Sequence, residues 1–241
     1  MLLKGKTVLI TGAARRLGKS MALAVANAGG DVILHHGHSR EEAAETQAEI
    51  QALGCDAHII QADLNDPAQI AEIIPRALQS GPLYALVNSA SVFDALKLET
   101  TTLEDWEMNL RVNLSAPFLL SQAFAAARIA NASGRIINIL DWRALRPGAD
   151  HFPYTISKAG LAALTQSLAT ALAPTISVNG LALGAILPPS DGTPTHELLA
   201  KVPAGRWANL DEVGEALLFL LTGPAYITGE ILHLDGGRHL I

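Results

Sequence analysis

Thr7-Val8-Leu9-Ile10-Thr11-Gly12-Ala13-Ala14-Arg15-Arg16-Leu17-Gly18 is the stretch on which the fold turns. Its first four residues are a β-rich run bounded by Lys6 and Gly12, which reads as a short buried strand. An Ala-rich helix is predicted to follow over residues 17–28, ended by Gly29-Gly30. Gly12 and Gly18 flank the turn between them, where backbone can approach a pyrophosphate at a helix N-terminus. Such a turn ordinarily has a middle glycine at position 16, and here that residue is Arg16. Its side chain must leave the tight turn, and an outward guanidinium can grip a phosphate. The plainer alternative is a tight turn with surface arginines.

Outward from this unit, strand and helix alternate to the end of the chain. Strands are predicted at residues 32–34, 58–60, 83–87, 135–140, 176–179 and 230–234. Helices are predicted at 40–53 with Ser39 as N-cap, after Asp66-Pro67, over 103–130 with an interruption at Pro117, from the Tyr154 region to about 173, and at 211–221. This order predicts an α/β Rossmann-like fold, a doubly wound parallel sheet of about seven strands with helices on both faces. No linker or repeat divides the 241 residues, so one dinucleotide-binding catalytic domain, 1–241, is expected.

Composition narrows the function classes. Hydrophobic residues are 49% and charged residues 17%, enough for a sizeable core. A net charge of −6 offers no basic footprint for nucleic acid or an anionic membrane. Cys55 is the lone cysteine, which leaves no disulfide framework or Cys-based metal cluster. No segment of about 18 apolar residues and no h-region is present, so a cytoplasmic location is expected.

The second strand ends in His35-His36-Gly37-His38-Ser39-Arg40. A site for an unphosphorylated ribose places an acid near position 36, and none stands there before Glu41. His, Ser and Arg suit a 2′-phosphate instead, so NADPH is the expected coenzyme. A metal site from the three histidines is disfavoured, because strand alternation separates His35 from His36 and no carboxylate completes a shell. Solvated loop residues are the plain alternative. Asp63 follows the third strand and Asn88-Ser89-Ala90 the fourth, at the carboxyl edge where open parallel sheets bind ligands.

Tyr154 and Lys158 are four residues apart, so on a helix they share a face. A neighbouring ammonium pulls a phenol down from its usual value near 10. Closing a gap of roughly three units takes about 4 kcal/mol of differential stabilisation. Tyr154 is therefore the candidate proton donor, with Asp141 thirteen residues before it.

Together these residues resemble the short-chain dehydrogenase/reductase family over almost the whole chain. The resemblance rests on the Thr11–Gly18 turn, Asp63, Asn88-Ser89-Ala90, Asn113, Tyr154/Lys158, Tyr226-Ile227-Thr228-Gly229 and Leu234-Asp235-Gly236-Gly237. It implies that Lys158 binds the nicotinamide ribose and that Asn113 holds a water feeding protons to Lys158. It places the coenzyme on Gly12, Arg15, Arg16, Leu17, Gly18, His36, His38, Ser39, Arg40, Asp63, Leu64, Asn88, Ser89, Ala90, Tyr154, Lys158 and Gly184.

The departures from the family pattern are informative. Asp141 stands where the family usually has Ser, Ser89 replaces a second Asn, and Leu183 replaces a Pro before Gly184. An ionised carboxylate only accepts hydrogen bonds and repels a developing alkoxide, whereas it suits ring N–H groups of a heterocycle. Several departures are similar to the pteridine reductase and dihydromonapterin reductase branch. That resemblance implies Arg16 on phosphate and pterin, Ser91 and Phe93 on substrate with Phe93 stacking, and Asp141 with Tyr154 as the catalytic pair. Phe93 as core filling and Asp141 as a cap are the blander alternatives, and Trp142 and His151 could either line the cleft or simply pack.

Reduction of a C=N bond in a dihydropterin-like small molecule is the reading that follows, with no metal. The alternatives are a carbonyl/alcohol oxidoreductase and a non-catalytic NADP(H) sensor. Pro188, Pro189 and Pro194 predict a short substrate cover. The apolar helix from Leu161 onward predicts a homo-oligomer, dimer or tetramer.

Overall fold

A computed structural model of the chain describes residues 1–127, 133–187 and 199–241. The prolines expected to shape the substrate cover, and the end of the helix predicted to reach 130, lie outside the described residues. Seven parallel strands form one sheet in the order β3-β2-β1-β4-β5-β6-β7. They are β1 (Thr7–Ile10), β2 (Asp31–His36), β3 (Ala57–Gln61), β4 (Leu83–Asn88), β5 (Gly134–Asp141), β6 (Ile176–Leu183) and β7 (Ile231–Leu234). The order reverses between β1 and β4, which opens a crevice at their carboxyl ends.

The side-chain period of two builds both faces of the sheet. Val8, Ile10, Val32 and Leu34 point to the layer of α1 (Arg16–Asn27), α2 (Arg40–Ala52) and α7 (Leu210–Thr222), where Met21, Ile50 and Leu217 meet them. Leu9, Ile33 and Leu86 point the other way, onto α3 (Pro67–Leu78), α5 (Ala116–Ala126) and α6 (Phe152–Leu172), through Ile73, Phe124 and Ala169. Asp66 caps α3 as predicted, its Oδ1 accepting from Ala68 N–H at 2.9 Å. No helix among the described residues is long and apolar enough to cross a membrane.

Three local expectations change. The stretch from 103 is not one helix bent at Pro117: α4 (Leu103–Leu110) passes through a π-helical turn at Arg111–Ser115 before α5. Pro117 occupies the first turn of α5, where its missing N–H costs little. Strand β2 runs two residues further than predicted, because His35 and His36 are both buried rather than looped out. Ser39 holds the N-cap position of α2, but its side chain makes no cap hydrogen bond.

Candidate active site

A cleft of about 900 Å³ runs along the carboxyl ends of the central strands. Thr11 fixes its floor: the hydroxyl oxygen accepts from Ser89 N–H at 2.9 Å and Ala90 N–H at 3.0 Å, tying the β1 turn to the β4 turn. Gly12 has φ +67°, and a Cβ there would lie 2.9 Å from Ala90 Cα. A Cβ on Gly18 would lie 2.0 Å from the Gly12 carbonyl oxygen, so α1 abuts the turn with no room to spare. His35 locks the turn from behind. Its Nδ1 accepts from Gly12 N–H at 3.3 Å while Nε2 faces Ala62 O at 3.0 Å. Burial pushes its pKa down to about 4, which matches a neutral ring donating through Nε2.

Arg16 takes φ +52°, the left-handed conformation that the missing glycine would adopt freely. The sequence argument for an expelled side chain is thus met in the backbone, and Arg15 and Arg16 are exposed on the cleft wall. Helix α1 begins with no side-chain cap and no acid in its first turn, so its free N–H groups and two guanidinium groups suit a pyrophosphate. His36 Nδ1 is buried without a partner, and His36, His38 and Ser39 line the same end. Burial and the Arg40 charge depress the His36 pKa. Arg16→Gly should leave stability within about 1 kcal/mol, since relief of left-handed strain offsets added freedom in the unfolded chain. Its NADPH affinity should fall about tenfold for a lost charge-assisted contact, as read by thermal melting and calorimetry.

At the other end, Asp141 closes β5 with Oδ2 accepting the Tyr154 phenol at 3.2 Å and Oδ1 accepting Arg143 N–H at 2.8 Å. The Arg143 guanidinium spans Asp141 at 3.4 Å and Asp150 at 2.7 Å. Asp141 therefore caps a short turn, as its plainer reading has it, and also faces the cleft. Lys158 is buried and donates to Ile139 O at 2.8 Å, with its ammonium 5.7 Å from the Tyr154 ring centroid. Burial pushes the Lys158 pKa down to about 8.

The expected tuning of Tyr154 is reversed. Burial, then the Asp141 carboxylate, raise the phenol well above its usual value, because the group at hydrogen-bond distance is the acid and not the ammonium. Tyr154 is held as a neutral phenol that donates to Asp141.

Phe93 is half-exposed, which excludes core filling. It stacks on His151 with centroids 4.0 Å apart and planes within 10°, and meets the Tyr154 ring edge-on at 4.6 Å. His151, at φ +49°, is the second non-glycine residue in the left-handed region among those described.

Of the residues expected in the site, Gly12, Arg15, Arg16, Leu17, Gly18, His36, His38, Ser39, Asp63, Leu64, Ser89, Ala90, Ser91, Phe93, Asp141, Tyr154, Lys158 and Gly184 line the cleft, and Arg40, Asn88 and Asn113 do not. Asn88 turns into the core, where Nδ2 donates to Asn138 Oδ1 at 2.8 Å, and Asn138 in turn reaches Thr165 on α6. Asn113, on the π-helical turn, accepts from Val92 N–H at 2.9 Å and donates to Ser157 Oγ at 3.0 Å, pinning the Ser91-Val92 segment to α6. The Ser91 hydroxyl lies 3.0 Å from the same Asn113 oxygen. Asn88→Ala should cost about 1–3 kcal/mol of stability by orphaning Asn138, while NADPH affinity stays within about twofold. Denaturant melts beside calorimetry separate the two.

Sequence reasoning missed the parts played by Thr11, His35 and Arg143, and missed Trp207 and Arg238 as residues of the cleft wall. Arg143 directly follows the weighed Trp142, but nothing in its spacing announces two carboxylate partners.

Fold and chemistry together are those of a nucleotide-dependent oxidoreductase. The chain belongs to the short chain dehydrogenase family, whose sequence pattern matches residues 6–197. It is 33% identical over 244 residues to 2-dehydro-3-deoxy-D-gluconate 5-dehydrogenase of Bacillus subtilis, covering 98% of this chain and 95% of that protein. It is 32% identical over 240 residues to a 3-oxoacyl-[acyl-carrier-protein] reductase of Synechocystis, covering 98% and 97%. Among solved structures, the alternative dihydrofolate reductase 1 (FolM) of Brucella canis complexed with NADP superposes with a TM-score of 0.92 at 33% identity, covering 100% of this chain and 97% of that one.

Proposed function

We propose that the protein is an NADPH-dependent reductase of the C=N bond of a dihydropterin-like heterocycle. The observation that carries this reading is Asp141, a carboxylate bonded to the Tyr154 phenol at 3.2 Å beside the half-exposed face of Phe93. An acceptor at that point suits ring N–H groups, whereas a ketone oxygen gaining negative charge would be repelled. The name of the Brucella canis neighbour supports the same substrate class.

The residues divide the chemistry. Arg15, Arg16 and the α1 N-terminus would hold the pyrophosphate, and His36, His38 and Ser39 would meet the 2′-phosphate. The bound coenzyme supplies a hydride to ring carbon. Phe93 stacks on the ring, Asp141 accepts its N–H, and the Tyr154 hydroxyl hands its proton to the ring nitrogen, which balances the hydride. Lys158, with its pKa down at about 8, can return a proton to the phenolate at neutral pH. Phe118 on α5 and Ile156 on α6 are exposed apolar side chains that a second copy of the chain could cover.

A carbonyl oxidoreductase is the second reading, favoured by the names of the Bacillus and Synechocystis relatives. NADPH consumption with dihydropterins and with ketones and 3-oxoacyl thioesters decides between them. Turnover of the carbonyl compounds alone sinks the heterocycle assignment.

A further inference from the structure

The cleft continues past Asp141. The end of β2, the β1 turn and Asp141 at the end of β5 lie in that order across the sheet, so a coenzyme held by the first two would direct its reacting end toward β5, with β6 and β7 beyond. Neighbouring strands are about 4.8 Å apart, which puts the β7 end roughly 10 Å beyond the reacting centre. That is the span of a substituent on the substrate ring, and Arg238 stands there in the cleft wall.

Its guanidinium carbon lies 4.7 Å from the centroid of the Trp142 ring, next in sequence to Asp141. It donates to Lys201 O, and no carboxylate among the described residues pairs with it. Arg143, by contrast, is committed to two carboxylates.

The turn presenting Arg238 is rigidly built. Asp235, 5% exposed, accepts from Gly237 N–H at 3.0 Å, from His239 N–H at 2.8 Å and pairs with His239 Nδ1 at 2.7 Å. Gly236 and Gly237 supply the left-handed angles, φ +61° and +83°. Arg238 is thus held between anchored residues on both sides. In a chain with a net charge of −6, the charged groups facing it are Arg143, Arg146 and the single acid Asp150, which is already bonded to Arg143. Burial and then the two neighbouring cations depress the Arg238 pKa, as befits a site of positive potential.

We propose that Arg238, set against Trp142, binds an anionic group, carboxylate or phosphate, carried on the side chain of the heterocyclic substrate. This rests on the dihydropterin reading and adds to it the charge of the substrate and the residue that selects for it. Arg238 is a specificity residue, remote from the proton transfer.

The test compares wild type, Arg238→Gln and Arg238→Lys on dihydrobiopterin, which is neutral, dihydroneopterin phosphate and dihydrofolate. Arg238→Gln should lower the kcat/KM ratio of an anionic over the neutral substrate by about tenfold, mainly through KM. Arg238→Lys should recover part of it, and high salt should shrink the wild-type preference. The affected substrate tells phosphate from carboxylate. A ratio unmoved by Arg238→Gln overturns the proposal. Calorimetric titration of NADP⁺-saturated enzyme with p-aminobenzoyl-glutamate and phenyl phosphate keeps the two levels separable. Arg238-dependent binding of either without turnover of any dihydropterin sustains the anion subsite and overturns the pterin reading. Binding of neither overturns the subsite.

Discussion

Tyr154→Phe is expected to lower kcat/KM for a dihydropterin by about 10³-fold, or ~4 kcal/mol of transition-state stabilisation, with NADPH affinity within about threefold of wild type. The phenyl ring keeps the volume and the edge-on contact with Phe93 at 4.6 Å, so the fold has no reason to change. What disappears is the one donor among the described residues at hydrogen-bond distance from Asp141 Oδ2. The pH profile adds a second check. Because burial and Asp141 raise the phenol well above its usual range, its ionisation should not cut activity below pH ~10. Lys158 loses its charge as pH rises through about 8, so kcat/KM should fall on that basic limb, and the limb should be absent from Lys158→Met. Retention of full activity in Tyr154→Phe would remove the proton-transfer scheme altogether.

Asp141 gives the second large effect. Asp141→Asn keeps the shape but replaces half of an acceptor-only group with a donor, facing ring N–H with N–H. Dihydropterin turnover should drop on the order of 10²-fold, with the Arg143 guanidinium still held by Asp150 at 2.7 Å. Asp141→Ser should lose pterin activity similarly and gain measurable reduction of simple ketones, because a hydroxyl can donate to a growing alkoxide. Steady-state assays on both substrate classes check this. An Asp141→Asn enzyme with wild-type pterin kinetics would show that the carboxylate does not select the substrate.

Much of this was legible in the chain itself, for reasons that differ by residue. The β1 turn could be read because few sequences other than a phosphate-binding turn place Gly12 and Gly18 between a strand and a helix, and the left-handed Arg16 agrees with its place in that pattern. Tyr154 and Lys158 were readable as a pair because the helix period alone puts them on one face. Where Lys158 points was not readable, since its acceptor is a carbonyl on β5, nineteen positions earlier. The Asn88 side chain was unreadable for the same reason: it satisfies a buried partner fifty residues away, which a motif does not announce. The π-helical turn at Arg111–Ser115 has no periodic signal of its own.

The Phe93–His151 stack leaves one face of Phe93 for any flat molecule that enters. With the imidazole 4.0 Å from one face of Phe93 and Tyr154 at its edge, an arriving heterocycle can stack only on the opposite, exposed face. The ring is held from behind before anything binds, so stacking on it costs little ordering of Phe93 itself. Discrimination then rests on the groups at the heterocycle's rim, because faces alone no longer distinguish one planar visitor from another.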